Sequence, residues 1–88
     1  PVYDDECIIV GYNPGTGKYE GKLGSFICVL AKNKKVKFKL SGMTDEIRDN
    51  YKTTHPVGTV VTFQYNELTK TGAPRFGRYL RIRTDYDL

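Results

Sequence analysis

With 88 residues, 27% of them charged and 39% hydrophobic, the chain has room for one small domain that buries about 60–65% of its unfolded surface, which excludes a large enzyme core. Fourteen basic side chains against ten acidic ones give a net charge of +4, an excess that favours polyanions only where it is clustered. No apolar run approaches the roughly 20 residues of a membrane-spanning helix, so no membrane partner is expected. Pro1 stands where an initiator methionine would, and residues 1–88 are expected to be one domain cut from a longer protein.

The β-branched, apolar run from Glu6 to Tyr12 predicts a first strand, ended by Asn13-Pro14-Gly15. Leu23 to Leu30 is apolar on both parities and predicts a second strand that is covered on both faces or strongly coiled, with Gly24 permitting a bend. From Lys35 to Leu40 the alternation is strict and predicts a third strand, Val36, Phe38 and Leu40 on one face and Lys35, Lys37 and Lys39 on the other. Thr44 to Asn50 has a capping threonine, Asp45 and Glu46 in its first turn and a closing asparagine, the marks of a short helix. A loop through His55-Pro56-Val57-Gly58 leads to a fourth strand at Thr59–Tyr65. After a turn at Thr71-Gly72-Ala73-Pro74, a fifth runs from Arg78 to Arg83, setting Tyr79, Arg81 and Arg83 against Arg78, Leu80 and Ile82. Five strands with one short helix between the third and fourth predict a mainly β chain with the five-stranded OB-fold, a Greek-key barrel that binds oligonucleotides. An SH3-like barrel is the alternative, although it would normally lack the interposed helix.

Two glycine-punctuated basic segments, Gly11–Ser25 and Thr69–Arg83, carry the chemistry. The second holds Lys70, Arg75, Arg78, Arg81 and Arg83 without a carboxylate, with Phe76 and Tyr79 among them, the pattern of a phosphate-rich partner. Phosphate contacts are expected from at least two of these four arginines. In the first, Lys18, Tyr19 and Lys22 lie on a loop whose glycines let the backbone approach a sugar–phosphate strand. It is not a nucleotide loop: Tyr12 and Tyr19 stand where a phosphate loop needs glycine and a hydroxyl residue, and Glu20 stands where a dinucleotide fingerprint needs its third glycine. The lysine row at 35, 37 and 39 is either a solvated, edge-protecting face or the border of a nucleic-acid channel. Tyr12, Tyr19, Phe76 and Tyr79 either stack on bases or fill the core.

His55 lacks a Ser, Cys or acid arranged as a triad and is read as a surface histidine. Asp5 and Glu6 are read as a solvated acidic end, and Cys7 and Cys28 as buried reduced thiols, so no metal site is expected. No nucleophile stands with its base. The role predicted for the segment is to hold a partner.

The two stretches Glu6–Ser25 and Leu68–Arg83 resemble the C-terminal OB domain of ATP-dependent DNA ligases, most closely the compact ligases of bacteria and viruses, and the resemblance extends from about Asp5 to Arg83. It implies nick sealing in replication and repair, in which a lysine of a preceding nucleotidyltransferase domain takes AMP from ATP and passes it to a 5′-phosphate that a 3′-hydroxyl then attacks. It implies that Arg75-Phe76-Gly77-Arg78-Tyr79-Leu80-Arg81 faces the ATP triphosphate in one pose, with Arg75, Arg78 and Arg81 accessory to the phosphates, and that the concave side packs on duplex DNA in another. DNA contacts are expected from Lys18, Tyr19, Lys22, Lys35, Lys37, Lys39, Lys70 and Arg83. ATP and Mg2+ belong to the full-length parent, which is expected to be a monomer acting on nicked duplex through its upstream domain. Gly77 departs from the proline usual in that motif, and no Lys-x-Asp-Gly occurs in the chain, so the segment alone is expected to be inactive. The short connections leave no room for a DNA-encircling insertion. Two other readings remain: a free-standing single-strand-binding OB protein, and the OB domain of an mRNA capping enzyme or RNA ligase.

Overall fold

The computed structural model describes residues 1–83. In chain order its elements are β1 (Tyr3–Pro14), β2 (Leu23–Leu30), β3 (Lys37–Leu40), α1 (Asp45–Thr54), β4 (Val60–Tyr65), β5 (Glu67–Leu68), β6 (Pro74–Arg75) and β7 (Arg78–Ile82), with a short 3-10 turn at Gly17–Tyr19 between β1 and β2. Five of the strands form one antiparallel sheet in the order β3-β2-β1-β4-β7, and β5 pairs with β6 in a small separate hairpin. The outer strands β3 and β7 meet at one parallel bridge, Ser41 to Arg78, where the Tyr79 N–H donates to the Ser41 carbonyl at 2.8 Å. This is the OB arrangement with its single helix between the third and fourth strands of the sheet. No ladder closes the sheet between these edges among the described residues, and that seam is where they meet.

The sequence positions explain the two-sided sheet. Phe26, Cys28 and Leu30 of β2 join Ile9, Leu40, Val61 and Phe63 in the inner core. Val29 points the other way and packs with Ile8 and Val60 in a smaller outer cluster, so β2 is apolar on both parities because both of its faces are covered. Cys7 and Cys28 are buried and free. The hydrogen bond with Cys28, followed by burial, pushes the Cys7 thiol up, which leaves it protonated and inert. At Gly24 a Cβ would stand 2.6 Å from the Pro14 carbonyl oxygen, so the start of β2 passes the end of β1 at a distance only glycine allows.

Element boundaries differ from the sequence reading for local reasons. β1 is longer at both ends because Tyr3 to Glu6 pair with Tyr65 to Thr62 of β4, while Pro14 occupies a strand end, where a missing donor is tolerated. β3 starts two residues late because a turn takes the preceding donors: the Lys35 N–H donates to Asn33 Oδ1 at 3.2 Å and the Val36 N–H to the Asn33 carbonyl at 3.1 Å. Lys35 therefore falls outside the alternating lysine row. The Thr44 hydroxyl caps the helix by accepting from the Ile47 N–H. Asn50 bends α1 at φ −116° without ending it, and the added turn brings the Tyr51 ring edge-on to Tyr12 at 4.7 Å.

Candidate nucleic-acid interface

The face of β7 is set by a bulge. Gln64 pairs with Arg78 and Phe63 with Tyr79, yet Thr62 pairs with Arg81 and Val61 with Ile82. Leu80 is the extra residue, 38% exposed. Cross-strand partners share a face, so Tyr79 and Ile82 both follow Phe63 and Val61 into the core, whereas Arg78 and Arg81 both follow Gln64 and Thr62 outward. The simple alternation expected for this strand is corrected: Tyr79 shares its face with Ile82 and not with Arg81. On β3, Lys37, Lys39 and Ser41 are on one parity while Phe38 and Leu40 are buried. Because Ser41 bridges to Arg78, the outward cations Lys37, Lys39, Arg78 and Arg81 form a stripe across the seam, roughly 20 Å long at about 3.3 Å per residue. Beside it, Asn13, Ile27, Lys37, Phe38 and Lys39 line a groove of about 390 Å³, with Gly11 paired to Ile27 at its edge.

The partners of these cations divide them. The Arg81 side chain is exposed and makes no ion pair or hydrogen bond with a described residue. Arg78 Nη1 donates to Asn66 Oδ1 at 2.9 Å and to the Phe76 carbonyl at 3.1 Å, both neutral acceptors. Arg75 Nε stands 4.0 Å from Glu67 Oε1 with both side chains more than half exposed, a contact of little energy. Arg83 Nη1 donates to Glu6 Oε2 at 3.0 Å, and the same oxygen accepts from the Thr62 hydroxyl at 3.2 Å. The carboxylates absent from residues 69–83 thus arrive from β1 and β5. The acids Asp85 and Asp87 lie outside the described residues.

The remaining candidates are spread over other surfaces. Lys70 is exposed at the tip of the β5–β6 hairpin, and Lys18 is exposed on the 3-10 turn with its Nζ 5.1 Å from the Tyr19 ring. Lys22 forms an ion pair with Asp49 of α1 at 3.1 Å. Tyr19 is no open platform, because the Arg48 guanidinium covers its ring at 4.1 Å. Tyr12 and Tyr79 pack against the core. Of the four aromatic candidates only Phe76 is exposed, at 71%, with its backbone in the left-handed region at φ 57°.

His55 corrects the surface reading. It is 3% exposed, its ring stacks on Phe26 at 5.3 Å, its Nε2 lies 2.8 Å from the Tyr79 hydroxyl and its Nδ1 2.7 Å from the Thr54 hydroxyl. Burial lowers its pKa from 6.5. The residue that sequence reasoning missed is Arg48, 6% exposed, whose Nη1 donates to the carbonyls of Leu23 and Gly24, both at 2.7 Å. Its signal was its place between Ile47 and Tyr51, on the apolar side of a short helix. Among the described residues no three His, Cys, Asp or Glu side chains cluster as metal ligands, and no helix is long and apolar enough to cross a membrane.

Residues 14–83 match the family model of the DNA ligase OB-like domain. A DNA ligase of Haemophilus influenzae is 35% identical over 78 residues, which are 88% of this chain and 27% of that protein. A solved Lig E DNA ligase, described as binding DNA with a minimal scaffold, superposes with a TM-score of 0.82 at 33% identity over 94% of this chain and 31% of its own. The Chlorella virus DNA ligase–adenylate shares the fold with a TM-score of 0.75 at 23% identity, over 98% of this chain and 32% of its own. The chain therefore spans about a third or less of each relative. With two thirds or more of its length matched by one family model, its five-stranded sheet and its basic final strand, the chain belongs to the family of DNA ligase OB-like domains.

Proposed function

We propose that this domain is the OB module of an ATP-dependent DNA ligase, that it holds nicked duplex DNA on its outward basic stripe, and that it presents Arg75, Arg78 and Arg81 to the triphosphate of ATP. The observation that carries the reading is the bulge at Leu80, which sets Arg78 and Arg81 on one face with no carboxylate bonded to either among the described residues. Guanidinium forks keep their protons and match phosphate oxygens, so fixed positive charge can meet the duplex backbone and, in a second pose, the departing pyrophosphate. The adenylylated lysine belongs to a nucleotidyltransferase domain upstream in the parent, and Mg2+ accompanies the ATP that this partner holds. What this chain contributes is placement and charge. Lys37 and Lys39 flank the groove next to Ile27, where an apolar floor suits sugar edges and two ammonium groups suit phosphates.

A single-strand-binding role needs open faces on Tyr12, Tyr19 and Tyr79, and all three are packed or covered. Titration of this chain with nicked, intact and single-stranded DNA and with an RNA-containing nick, at several salt concentrations, tests the reading. Nicked duplex DNA should bind tightest with a steep salt slope, and Arg81→Ala in the full-length protein should slow enzyme adenylylation. Equal or better binding of single strands, or unchanged adenylylation, would overturn it.

A further inference from the structure

A directed chain of hydrogen bonds lies beneath β7. Thr54 Oγ1 stands 3.1 Å from the Asn50 carbonyl, which has no proton to give, so the Thr54 hydroxyl donates there. Its oxygen then accepts from His55 Nδ1–H at 2.7 Å. That leaves His55 Nε2 as the lone-pair acceptor for the Tyr79 hydroxyl at 2.8 Å. The Tyr12 hydroxyl donates to the His55 carbonyl at 2.9 Å, and the His55 ring is held between Phe26 and Tyr79, each 5.3 Å away. The chain joins the end of α1 to the strand that carries the arginines.

Tyr79 is the residue just before the bulge, and the bulge has a competitor written in the sequence. If Arg81 stayed opposite Thr62 and the strand ran on without the extra residue, Leu80 would face Phe63, Tyr79 would face Gln64 and Arg78 would face Tyr65. That register buries Leu80 beside Ile82, as their spacing favours. It would also take Arg78 off the outward face it shares with Arg81. What opposes the slip is the inward hold on Tyr79, together with the seam bond from its N–H to Ser41.

We infer that His55 and Tyr79 are positioning residues, whose hydrogen bond fixes the Leu80 bulge and thereby puts Arg78 and Arg81 on one phosphate-binding face; this rests on the reading proposed above. A merely structural pair would lower stability without changing which way the arginines point.

The test measures nicked-duplex affinity at fixed salt, together with thiol reactivity at a Leu80→Cys reporter, since Cys7 and Cys28 are buried. Tyr79→Phe and His55→Leu should each weaken binding about 5-fold and slow labelling of the reporter thiol about 10-fold, as residue 80 turns inward. His55→Gln, which keeps an acceptor for the Tyr79 hydroxyl, should stay within about 2-fold of the parent. In an Arg78→Ala background, Tyr79→Phe should cause no further loss. Should Tyr79→Phe fail to fold, Thr54→Val, which strips the Nδ1 proton of its acceptor, carries the same measurements with a smaller effect. Unchanged labelling and affinity in a folded Tyr79→Phe chain, or an undiminished loss in the Arg78→Ala background, would overturn the inference. If Arg78→Ala and Arg81→Ala themselves bound like the parent, the phosphate-binding reading would fail instead, while the labelling result would still report the register.

Discussion

The Arg48 guanidinium covers the Tyr19 ring at 4.1 Å while its Nη1 holds the carbonyls of Leu23 and Gly24, so one helix side chain ties down both the β1–β2 loop and the start of β2. The Lys22–Asp49 ion pair fastens the same loop to the same helix. Arg48 Nε has no partner among the described residues, which adds a desolvation cost that the two carbonyl bonds must outweigh. Replacing the side chain with a methionine of similar length removes both bonds and leaves one buried and one half-buried carbonyl without this donor. Arg48→Met should destabilise the fold by about 2–4 kcal/mol in urea unfolding. It should also raise proteolytic cleavage near Lys18.

Gly77 is buried against the Leu40 side chain, whose Cδ1 lies 3.3 Å from an added Cβ, and it follows Phe76 in the left-handed region. A proline at 77 pushes the preceding residue toward extended backbone. The glycine at 77 is therefore matched to the turn of Phe76. Gly77→Pro should destabilise by about 1–3 kcal/mol, measured by thermal melting. Phe76→Asn, which tolerates positive φ and gives up little burial, should be neutral or stabilise by up to about 1 kcal/mol.

Protonation of His55 has a defined sign. Burial holds its folded pKa below 6.5, and among the described residues its ring nitrogens meet the hydroxyls of Tyr79 and Thr54, with no carboxylate bonded to receive an imidazolium. The neutral ring's contribution is complete above about pH 6.5, and it is lost as pH falls from there through the folded pKa. The slope from this one group is at most about 1.4 kcal/mol per pH unit. Chemical denaturation at pH 7 and pH 5 should show the parent losing more stability than His55→Gln. Equal losses would show that His55 is not the group responsible. At the other extreme burial raises the Tyr79 pKa, so stability should also fall as pH climbs past about 10.

How much was legible follows from which forces were local. The lysine alternation fixed the face of β3, and the β-branched runs located β1, β2 and β4, because burial on a pleated surface has a period of two. The bulge at Leu80 was illegible: Leu80 and Ile82 advertise a regular strand, and what overrides them is a hydroxyl on Tyr79 meeting a ring from His55, 24 residues away. His55 was misread for the same reason, since a histidine before proline in a loop carries no local mark of burial. The arginine cluster was visible as composition, but its division was not. Glu6, which takes Arg83, lies 77 residues earlier.

That division predicts different behaviour for two arginines two residues apart. The Arg81 side chain has no ion-pair or hydrogen-bond partner among the described residues, so Arg81→Ala should leave stability within about 0.5 kcal/mol and lower the salt slope of duplex binding by about one. Arg83 shares the Glu6 oxygen with Thr62, at side-chain exposures of 33% and 22% for the ion pair. Arg83→Ala should cost about 1 kcal/mol of stability, because a half-buried carboxylate loses its cation, with a smaller effect on binding than Arg81→Ala. Glu6→Gln removes one carboxylate that pairs with Arg83 and takes one negative charge from the outward side. It should therefore strengthen duplex binding severalfold at low salt while lowering stability, and the gain should fade as salt rises. A Glu6→Gln chain that bound DNA no better than the parent would mean that Glu6 does not hold Arg83 back from the phosphates.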